Sequence, residues 1–458
     1  MPDPRHTSLT KLTKLTLGTK LNYAVGNIGL QMLVAGMSFF LLIFYTDVAL
    51  VPPAVAGSAL LVGKIWDTVN DPLFGYLTDR TRSRHGRRRV YLIYGALPLA
   101  LLAAAIWMMP VGLSPVLAFV WIAVTYTLFD TVVTLVQIPY SSLAAEMTHD
   151  YDERTSLIAI SSVGALLGYI LGSVAMPLVV RAAPDARTGY AIAGGALGLV
   201  AGAAIAWVAW RVREPVLDEV RAQAAPPWKS VLGAVRSRPF VLLASGCGLA
   251  CIGLTLVQGG LAYFVVYQMQ GSKADLPQML GGLLLVVGAS IVFWKWLVDH
   301  WEKNYAYAAG LGLAAVGLAA LFWLQPGQQW ATMAALAVIG AGMGAHWVVP
   351  FSMLPDTVDH GHAESGERRT GMYYGLFGLI DKLARTVATA AIGWLLYAFN
   401  YVPNVAQTSQ SLLGIRLTVG LLPAAFLLAA IPLLLAYPIS RARHAALRMP
   451  AAMPAEAA

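Results

Sequence analysis

Twelve stretches of the chain are long and apolar enough to cross a bilayer as helices, which takes about 20 mostly apolar residues. Their apolar residues are continuous rather than alternating, so helices are favoured over the strands of a barrel. The sequence predicts an all-α membrane protein of twelve transmembrane helices in two pseudo-symmetric six-helix bundles. The predicted helices lie near residues 22–47, 54–78, 90–110, 114–146, 153–182, 188–213, 237–269, 276–299, 305–325, 329–355, 367–398 and 409–440.

The composition supports lipid as the main solvent. The 458 residues are 58% hydrophobic and 12% charged, whereas a soluble domain carries roughly 25% charged residues. The net charge of +8 would suggest nucleic acid in a soluble protein. Here the basic residues stand in short loops and tails, so we expect a lipid bilayer and no nucleic acid as partner. Cys247 and Cys251, in an apolar run, are predicted to be packing residues rather than a disulfide or a metal site.

Basic residues also predict the orientation. They cluster before the first predicted helix, after the second, between the sixth and seventh, and after the last, while the loops at 48–53 and 111–113 carry none. The positive-inside rule then places both termini in the cytoplasm of a multi-pass protein, expected in a bacterial inner membrane. The predicted divisions are a cytoplasmic tail at 1–21, a first bundle at 22–213, a cytoplasmic linker at 214–236, a second bundle at 237–440 and a cytoplasmic tail at 441–458.

The two halves carry a repeated motif. Residues 138–143 read Ile-Pro-Tyr-Ser-Ser-Leu at the end of the fourth predicted helix, and residues 349–354 read Val-Pro-Phe-Ser-Met-Leu at the end of the tenth. Each is followed by an acidic stretch and an Arg-Thr pair. Parallel repeats with a binding site near mid-membrane are typical of secondary transporters.

Two carboxylates interrupt the second predicted helix. Asp67 and Asp71 are four residues apart and share one helical face, which Asn70 borders. Close carboxylates repel each other unless a cation lies between them, so the pattern predicts a site for Na⁺ or H⁺. In the sodium case Asp67 and Asp71 are the expected metal ligands. The alternative is a structural ion pair, in which Lys64 neutralises one of the acids.

Polar residues also occur on the fourth and the first predicted helices. Asp130, Thr134 and Gln137 share one face of the fourth predicted helix. Thr134 either supplies a hydroxyl to the cation or packs between helices. Asn27 and Gln31 mark a polar stripe on the first helix, although buried amides often bond to neighbouring helices instead.

The second half contains its own ionisable group. Asp381 and Arg385 on the eleventh predicted helix are spaced to pair with each other. That pairing leaves Lys382 as an ammonium facing either a cavity or the acids of the other half. On the tenth helix, Trp347 either stacks on a sugar ring or acyl chain or packs against lipid.

A highly charged loop follows the second predicted helix. Its Asp79, Arg80 and Arg84, together with Arg154 and Asp356, are predicted to form a cytoplasmic latch that holds one conformational state. The alternative is that these charges only set the membrane topology. Both roles are compatible.

Several motifs resemble the major facilitator superfamily, and within it the glycoside–pentoside–hexuronide:cation symporters that include the melibiose permeases. The motifs lie at residues 44–47, 66–72, 75–83, 150–155 and 353–359. The resemblance implies the major facilitator fold. It also implies that Asp67, Asn70, Asp71 and Thr134 hold the cation. Positions matching Trp347 and Lys382 belong to the solute site.

The sequence departs from melibiose permeases at the sugar-binding positions. Gln31 and Gln137 stand where those proteins have acids, and Ser141 stands where they have an aromatic residue. The resemblance therefore implies a substrate other than melibiose, in a site formed by Asn27, Gln31, Gln137, Trp347 and Lys382. The chain also resembles lysophospholipid symporters. That resemblance implies that Lys382 would meet the phosphate of such a substrate.

The resulting hypothesis is a cation-coupled symporter of a small solute, expected to be a sugar or glycoside, that works by alternating access as a monomer. A lysophospholipid or other amphiphile symporter is the alternative within transport. A non-transporting membrane signalling or assembly protein with the same fold is the alternative from another class. No catalytic set appears in the sequence, so we expect neither an enzyme nor a cofactor beyond the coupling ion.

Overall fold

The computed structural model describes residues 15–148, 150–212, 236–271, 275–365 and 370–441, and in these ranges it contains the twelve predicted helices. In ten of them an apolar window is long enough to span a membrane. Ionisable residues lower the hydropathy of the other two, α2 and α11. The helices are α1 Leu17–Val48, α2 Pro53–Arg80, α3 Arg89–Ile106, α4 Pro115–Met147, α5 Tyr151–Ala182, α6 Ala186–Arg211, α7 Arg238–Gln268, α8 Asp275–His300, α9 Lys303–Trp323, α10 Gln329–Ser365, α11 Thr370–Ala398 and α12 Ser409–Leu435.

The chain forms two compact units. The first comprises Met1–Met37 and Val69–Arg221, and the second comprises Ser38–Thr68 and Ala222–Ala458. Helices α1 and α2 therefore each contribute residues to both units. The bundle boundaries read from the sequence stay predictions, because residues 213–235 and the tail from residue 442 lie outside the described part of the chain.

Close helix packing in the first unit depends on small residues. A Cβ atom added to Gly168 of α5 would lie 2.8 Å from the Cα atom of Ile28 on α1. One helical turn later, a Cβ atom on Gly172 would lie equally close to the Cα atom of Met32. Glycine at these positions lets the two helix backbones approach each other directly.

Helices α1 and α7 end in the same way. Each finishes with a wide π-helical turn, Phe44–Val48 in α1 and Phe264–Gln268 in α7. Two residues after each of these turns the backbone adopts the left-handed conformation, at Leu50 with φ 58° and at Gln270 with φ 49°. These matching ends lie about 220 residues apart and support the internal repeat predicted from the two proline motifs.

Helix α10 is longer than predicted. The apolar run ends near residue 355, but the helix continues to Ser365. Its polar extension is stabilised by contacts that hydropathy does not measure. The Asp356 carboxylate lies 2.5 Å from Lys303 Nζ, and the hydroxyls of Thr357 and Tyr437 are 2.8 Å apart. Helix α12 ends at Leu435, short of the predicted residue 440.

Candidate functional site

Four polar side chains of α2 and α4 meet inside the first unit, and we call them the α2–α4 cluster: Asn70, Asp71, Asp130 and Thr134. Asn70 is fully buried and donates from Nδ2 to Asp130 Oδ2 over 3.1 Å. Its Oδ1 accepts from the Thr134 hydroxyl at 3.2 Å. The same hydroxyl lies 3.5 Å from Asp71 Oδ1. Three of the four residues predicted to hold a cation are thus neighbours.

The chemistry of the α2–α4 cluster suits a hard cation. Its side chains present carboxylate, amide and hydroxyl oxygens, the ligands that such ions prefer. Asp130 and Thr134 are 7% and 5% exposed. Burying carboxylates away from water is costly unless positive charge compensates them. A bound Na⁺ or a proton is one form that such compensation can take.

Asp67 makes a different contact, inside the second unit. Its Oδ1 lies 2.8 Å from Nζ of Lys382 on α11, and its main-chain carbonyl oxygen lies 3.3 Å from the same Nζ. The side chains of Lys382 and Asp67 are 28% and 15% exposed. The sequence left two orientations open for this lysine, and the structure places it on an acid of the other half of the chain. Lys382 is therefore an ion-pair partner rather than an unpaired ammonium.

The other residues predicted for the solute site differ in their surroundings. Asn27 donates to the main-chain oxygen of Ser161 on α5 at 3.1 Å and to its hydroxyl at 3.2 Å, so this amide bonds between helices. Gln31 and Gln137 are half-buried, and Trp347 is 44% exposed. These last three side chains keep exposed surface, and their place in the solute site stays a prediction.

Two of the predicted latch residues bind inside their own units. Asp356 forms the ion pair with Lys303 in the second unit. Arg154, in the first unit, donates from Nη2 to the main-chain oxygen of Thr148 at 3.3 Å. Both contacts lie close to the repeated motif, one at Thr148 just after α4 and one at Asp356 within α10.

The remaining latch residues lie at the end of α2 and in the loop after it. The guanidinium carbon of Arg80 lies 4.0 Å from the centre of the Tyr76 ring, a cation–π contact within one helix. Arg84 is exposed. The side chain of Asp79 is outside the described part of the structure, so its part in the latch stays a prediction.

Sequence reasoning missed a carboxylate at the end of α1. Both carboxylate oxygens of Asp47 lie within hydrogen-bond distance of the Tyr401 hydroxyl, at 2.8 and 2.9 Å. The Tyr267 hydroxyl also donates to Asp47, and Asn404 donates to its main-chain oxygen at 2.7 Å. Burial, reinforced by the charge of Asp47, raises the pKa of Tyr401, so its hydroxyl remains a donor. The sequence signal that could have drawn attention to Asp47 is the position of a carboxylate at the end of an apolar run.

Two solved structures share the fold. A bacterial homologue of the human lysosomal transporter Spinster, in an inward-facing unoccupied conformation, matches with a TM-score of 0.67 at 12% identity over 95% of this chain and 98% of that chain. A D-xylose–proton symporter matches with a TM-score of 0.62 at 14% identity over 89% of this chain and 96% of that chain. At these identities the likeness establishes the fold alone. The shared fold is the major facilitator fold.

The family follows from the sequence. A family model described as "MFS/sugar transport protein" matches residues 22–441. The chain therefore belongs to this family, the melibiose-permease-like cation symporters of the major facilitator superfamily, as its motifs indicated. It is a multi-pass membrane protein of a transporter family and not an enzyme.

Relatives match over nearly their whole length. An uncharacterized symporter of Synechocystis is 30% identical, with 95% of this chain and 96% of the relative covered. A glucuronide carrier protein homolog of Escherichia coli is 26% identical, with 93% of each covered. The sodium-dependent lysophosphatidylcholine symporter 1 of Mus musculus is 26% identical, with 95% of this chain and 88% of the relative covered.

Proposed function

We propose that the protein is a symporter that couples the downhill movement of Na⁺ or H⁺ to the transport of a sugar or glycoside by alternating access. The observation that carries the proposal is the α2–α4 cluster. There the Thr134 hydroxyl lies 3.2 Å from the Asn70 amide oxygen and 3.5 Å from the Asp71 carboxylate. A buried set of oxygen ligands on facing helices is what a coupling ion needs.

We include Asp67 in the proposed cation site. It lies one helical turn before Asp71 on α2, so both carboxylates project from the same helical face. Lys382 now supplies the positive charge at Asp67. A coupling cation that takes over Asp67 would release the ammonium of Lys382 for the solute. The cation would then favour the state that binds solute, and by linkage the solute would tighten cation binding by the same factor.

A sugar is supported by the comparisons and by the side chains of the candidate solute site. The family model is described as a sugar transport protein, and one relative is named a glucuronide carrier homologue. The half-buried amides of Gln31 and Gln137 can bond to hydroxyl groups. The indole of Trp347 can cover the apolar face of a sugar ring. Asn27, already bonded to Ser161, would orient α1 rather than contact the solute.

A lysophospholipid is the second candidate, supported by relatives named lysophosphatidylcholine symporters. In that case the released ammonium of Lys382 would meet the phosphate. Chain-length-dependent uptake would favour this candidate over a glycoside. A non-transporting membrane protein is the third candidate, and a failure of every solute to stabilise the protein would favour it.

We further propose that the protein is a monomer in a bacterial inner membrane with both termini in the cytoplasm, as its basic loops indicate. Asp79, Arg80, Arg84, Arg154 and Asp356 would then lie on the cytoplasmic side and act as a latch in one state of the cycle. Reporter fusions at residue 441 and in the loop at 111–113 test this topology. A cytoplasmic reporter active at 111–113 would refute it.

The decisive experiment has two stages. A thermal-shift screen of the purified protein, with and without Na⁺ and at several pH values, compares glycosides, uronides and lysolipids. We expect a sugar or uronide to raise Tm, and the cation to enlarge the shift. Uptake of that solute into proteoliposomes then compares wild type with Asp67→Asn and Asp71→Asn. Gradient-driven accumulation that survives both substitutions would show that the cation assignment is wrong.

A further inference from the structure

The second unit contains a cluster of metal-binding side chains that the transport cycle does not use. Cys247 and Cys251 lie one turn apart on α7, and His346 lies on α10. Their two sulfur atoms and a ring nitrogen all lie within 4.8 Å of one another. The residues are 5%, 0% and 8% exposed. The sequence predicted two packing cysteines, but their contact with a histidine 95 residues away appears only in the fold.

A carboxylate lies next to this cluster. The Cys251 thiol donates to Asp381 Oδ1 on α11 at 2.7 Å, while Cys251 Sγ lies 3.5 Å from His346 Nε2. Two sulfur atoms and one imidazole nitrogen thus converge from two helices of one unit, and a carboxylate of α11 lies beside Cys251. Three protein ligands with one open position are typical of one class of tetrahedral zinc sites.

We propose that Cys247, Cys251 and His346 bind one thiophilic divalent metal ion of the Zn²⁺ class, with the fourth coordination position open. In a tetrahedral site, Zn–S bonds of about 2.3 Å and Zn–N bonds of about 2.0–2.1 Å separate a sulfur from a nitrogen ligand by about 3.5 Å. The distance between Cys251 Sγ and His346 Nε2 is 3.5 Å. These two ligand atoms are therefore already spaced as the ion requires.

Neighbouring groups orient His346 and the adjacent Asp381. The Tyr307 hydroxyl lies 2.7 Å from His346 Nδ1. When Nδ1 carries the proton and donates to this oxygen, Nε2 is unprotonated and its lone pair faces Cys251. A metal needs this tautomer of the histidine. Arg385 donates to both oxygens of Asp381, at 2.8 Å from Nε and 3.2 Å from Nη2. Such contacts hold ligands of metal sites in position.

The charges balance when the metal is bound. Coordination requires thiolates, so both thiol protons leave as the ion enters. Two thiolates and the Asp381 carboxylate are then offset by the divalent ion and the Arg385 guanidinium. Net neutrality matters here because uncompensated charge is costly among apolar helices. The side chains of Arg385 and Asp381 are 38% and 31% exposed, so they provide the side from which an ion reaches the buried cysteines.

The test is a Co²⁺ titration of the purified full-length protein, without a histidine tag and after treatment with a chelator. The chain contains two cysteines, so any thiolate-to-cobalt charge-transfer band must arise from Cys247 and Cys251. We expect one Co²⁺ per chain, a charge-transfer band, the visible bands of tetrahedral Co²⁺, and displacement of all of these by Zn²⁺. Binding without the charge-transfer band would overturn the proposal on wild-type protein alone.

Variants locate the site. Cys251→Ser should lower the charge-transfer intensity by about half or abolish it, and His346→Gln should weaken Co²⁺ binding at least tenfold. His300→Gln is the matched control, because His300 is exposed at the end of α8 and contacts the main-chain oxygen of Trp296. A band that survives unchanged in both Cys247→Ser and Cys251→Ser would overturn the proposal.

Discussion

The Nζ atom of Lys382 lies 2.8 Å from Oδ1 of Asp67, which joins α11 to α2 inside the second unit. Both side chains are largely buried, so the pairing of the two charges compensates part of the cost of their burial. An ammonium at this position occupies the place of a coupling ion. The ion pair and the bound cation are therefore alternatives for Asp67 in the mechanism we propose.

Lys382→Ala should separate cation binding from solute binding. Without its competitor, the cation should bind about tenfold more tightly, which corresponds to ~1.4 kcal/mol. The solute-dependent increase in Tm should disappear, because the released ammonium is missing. The measurements are the dependence of Tm on Na⁺ at fixed pH and the dependence of Tm on pH in the absence of Na⁺.

Lys295→Ala is the control for that substitution. Lys295 pairs with Asp299 over 3.5 Å, but its side chain is 72% exposed, so this pair contributes little. An equal change of cation affinity in both variants would mean that bulk charge, rather than the contact with Asp67, is responsible.

Thr134 provides a second test of the α2–α4 cluster. Thr134→Val removes the hydroxyl that bridges Asn70 and Asp71, so we expect the cation affinity to fall by about tenfold, on the order of one hydrogen bond. Thr134→Ser should retain the affinity. Thr125→Val, on the same helix, removes a hydroxyl that bonds Trp121 within the helix and should leave the affinity unchanged. Equal losses for both valine variants would count against a ligand role.

Most of the fold was predictable because apolar runs report directly on transfer into lipid. The end of α10 was not, because residues beyond 355 are polar and their helix is stabilised by tertiary contacts such as that between Asp356 and Lys303. A hydropathy pattern measures where a segment leaves the bilayer. It does not measure where its helix ends.

Part of the geometry of the candidate site was predictable, since three of the four predicted cation residues are neighbours in the structure. Spacing placed Asp67 and Asp71 on one face, and the resemblance supplied Asn70 and Thr134. The partner of Asp67 could not be predicted from spacing, because Lys382 lies 315 residues further along the chain. Asp47 was overlooked for the same reason, since the tyrosines that bind it come from distant parts of the sequence.

Asp47→Asn should destabilise the second unit. The carboxylate accepts hydrogen bonds from Tyr401 and Tyr267, and bonds to a charged acceptor are worth about 1.5–3 kcal/mol each. An amide keeps one acceptor oxygen, so we expect a loss of about 2 kcal/mol, seen as a lower Tm. Tyr401→Phe should lower Tm in the same direction. Asp299→Asn, at an exposed carboxylate, is the control, and similar Tm values for the two Asn variants would contradict the assignment.

Gly57 and Gly75 on α2 form a natural pair for testing helix packing. A Cβ atom on Gly57 would lie 2.9 Å from the main-chain oxygen of Ala390 and 3.2 Å from the Cα atom of Gly393, both on α11. Neither backbone atom can rotate away, so Gly57→Ala must separate α2 from α11. A Cβ atom on Gly75 would meet nothing within 4 Å.

We therefore expect Gly57→Ala to lower Tm and Gly75→Ala to leave it unchanged or raise it slightly, because alanine is the better helix former by about 1 kcal/mol. Separating α2 from α11 also stretches the ion pair of Asp67 and Lys382, which lies on the same two helices. Gly57→Ala should then reproduce part of the tighter cation binding expected of Lys382→Ala. A lower Tm with unchanged cation affinity would show that the ion pair tolerates the separation. Equal Tm values for the two alanine variants would show instead that α2 and α11 are not in close contact.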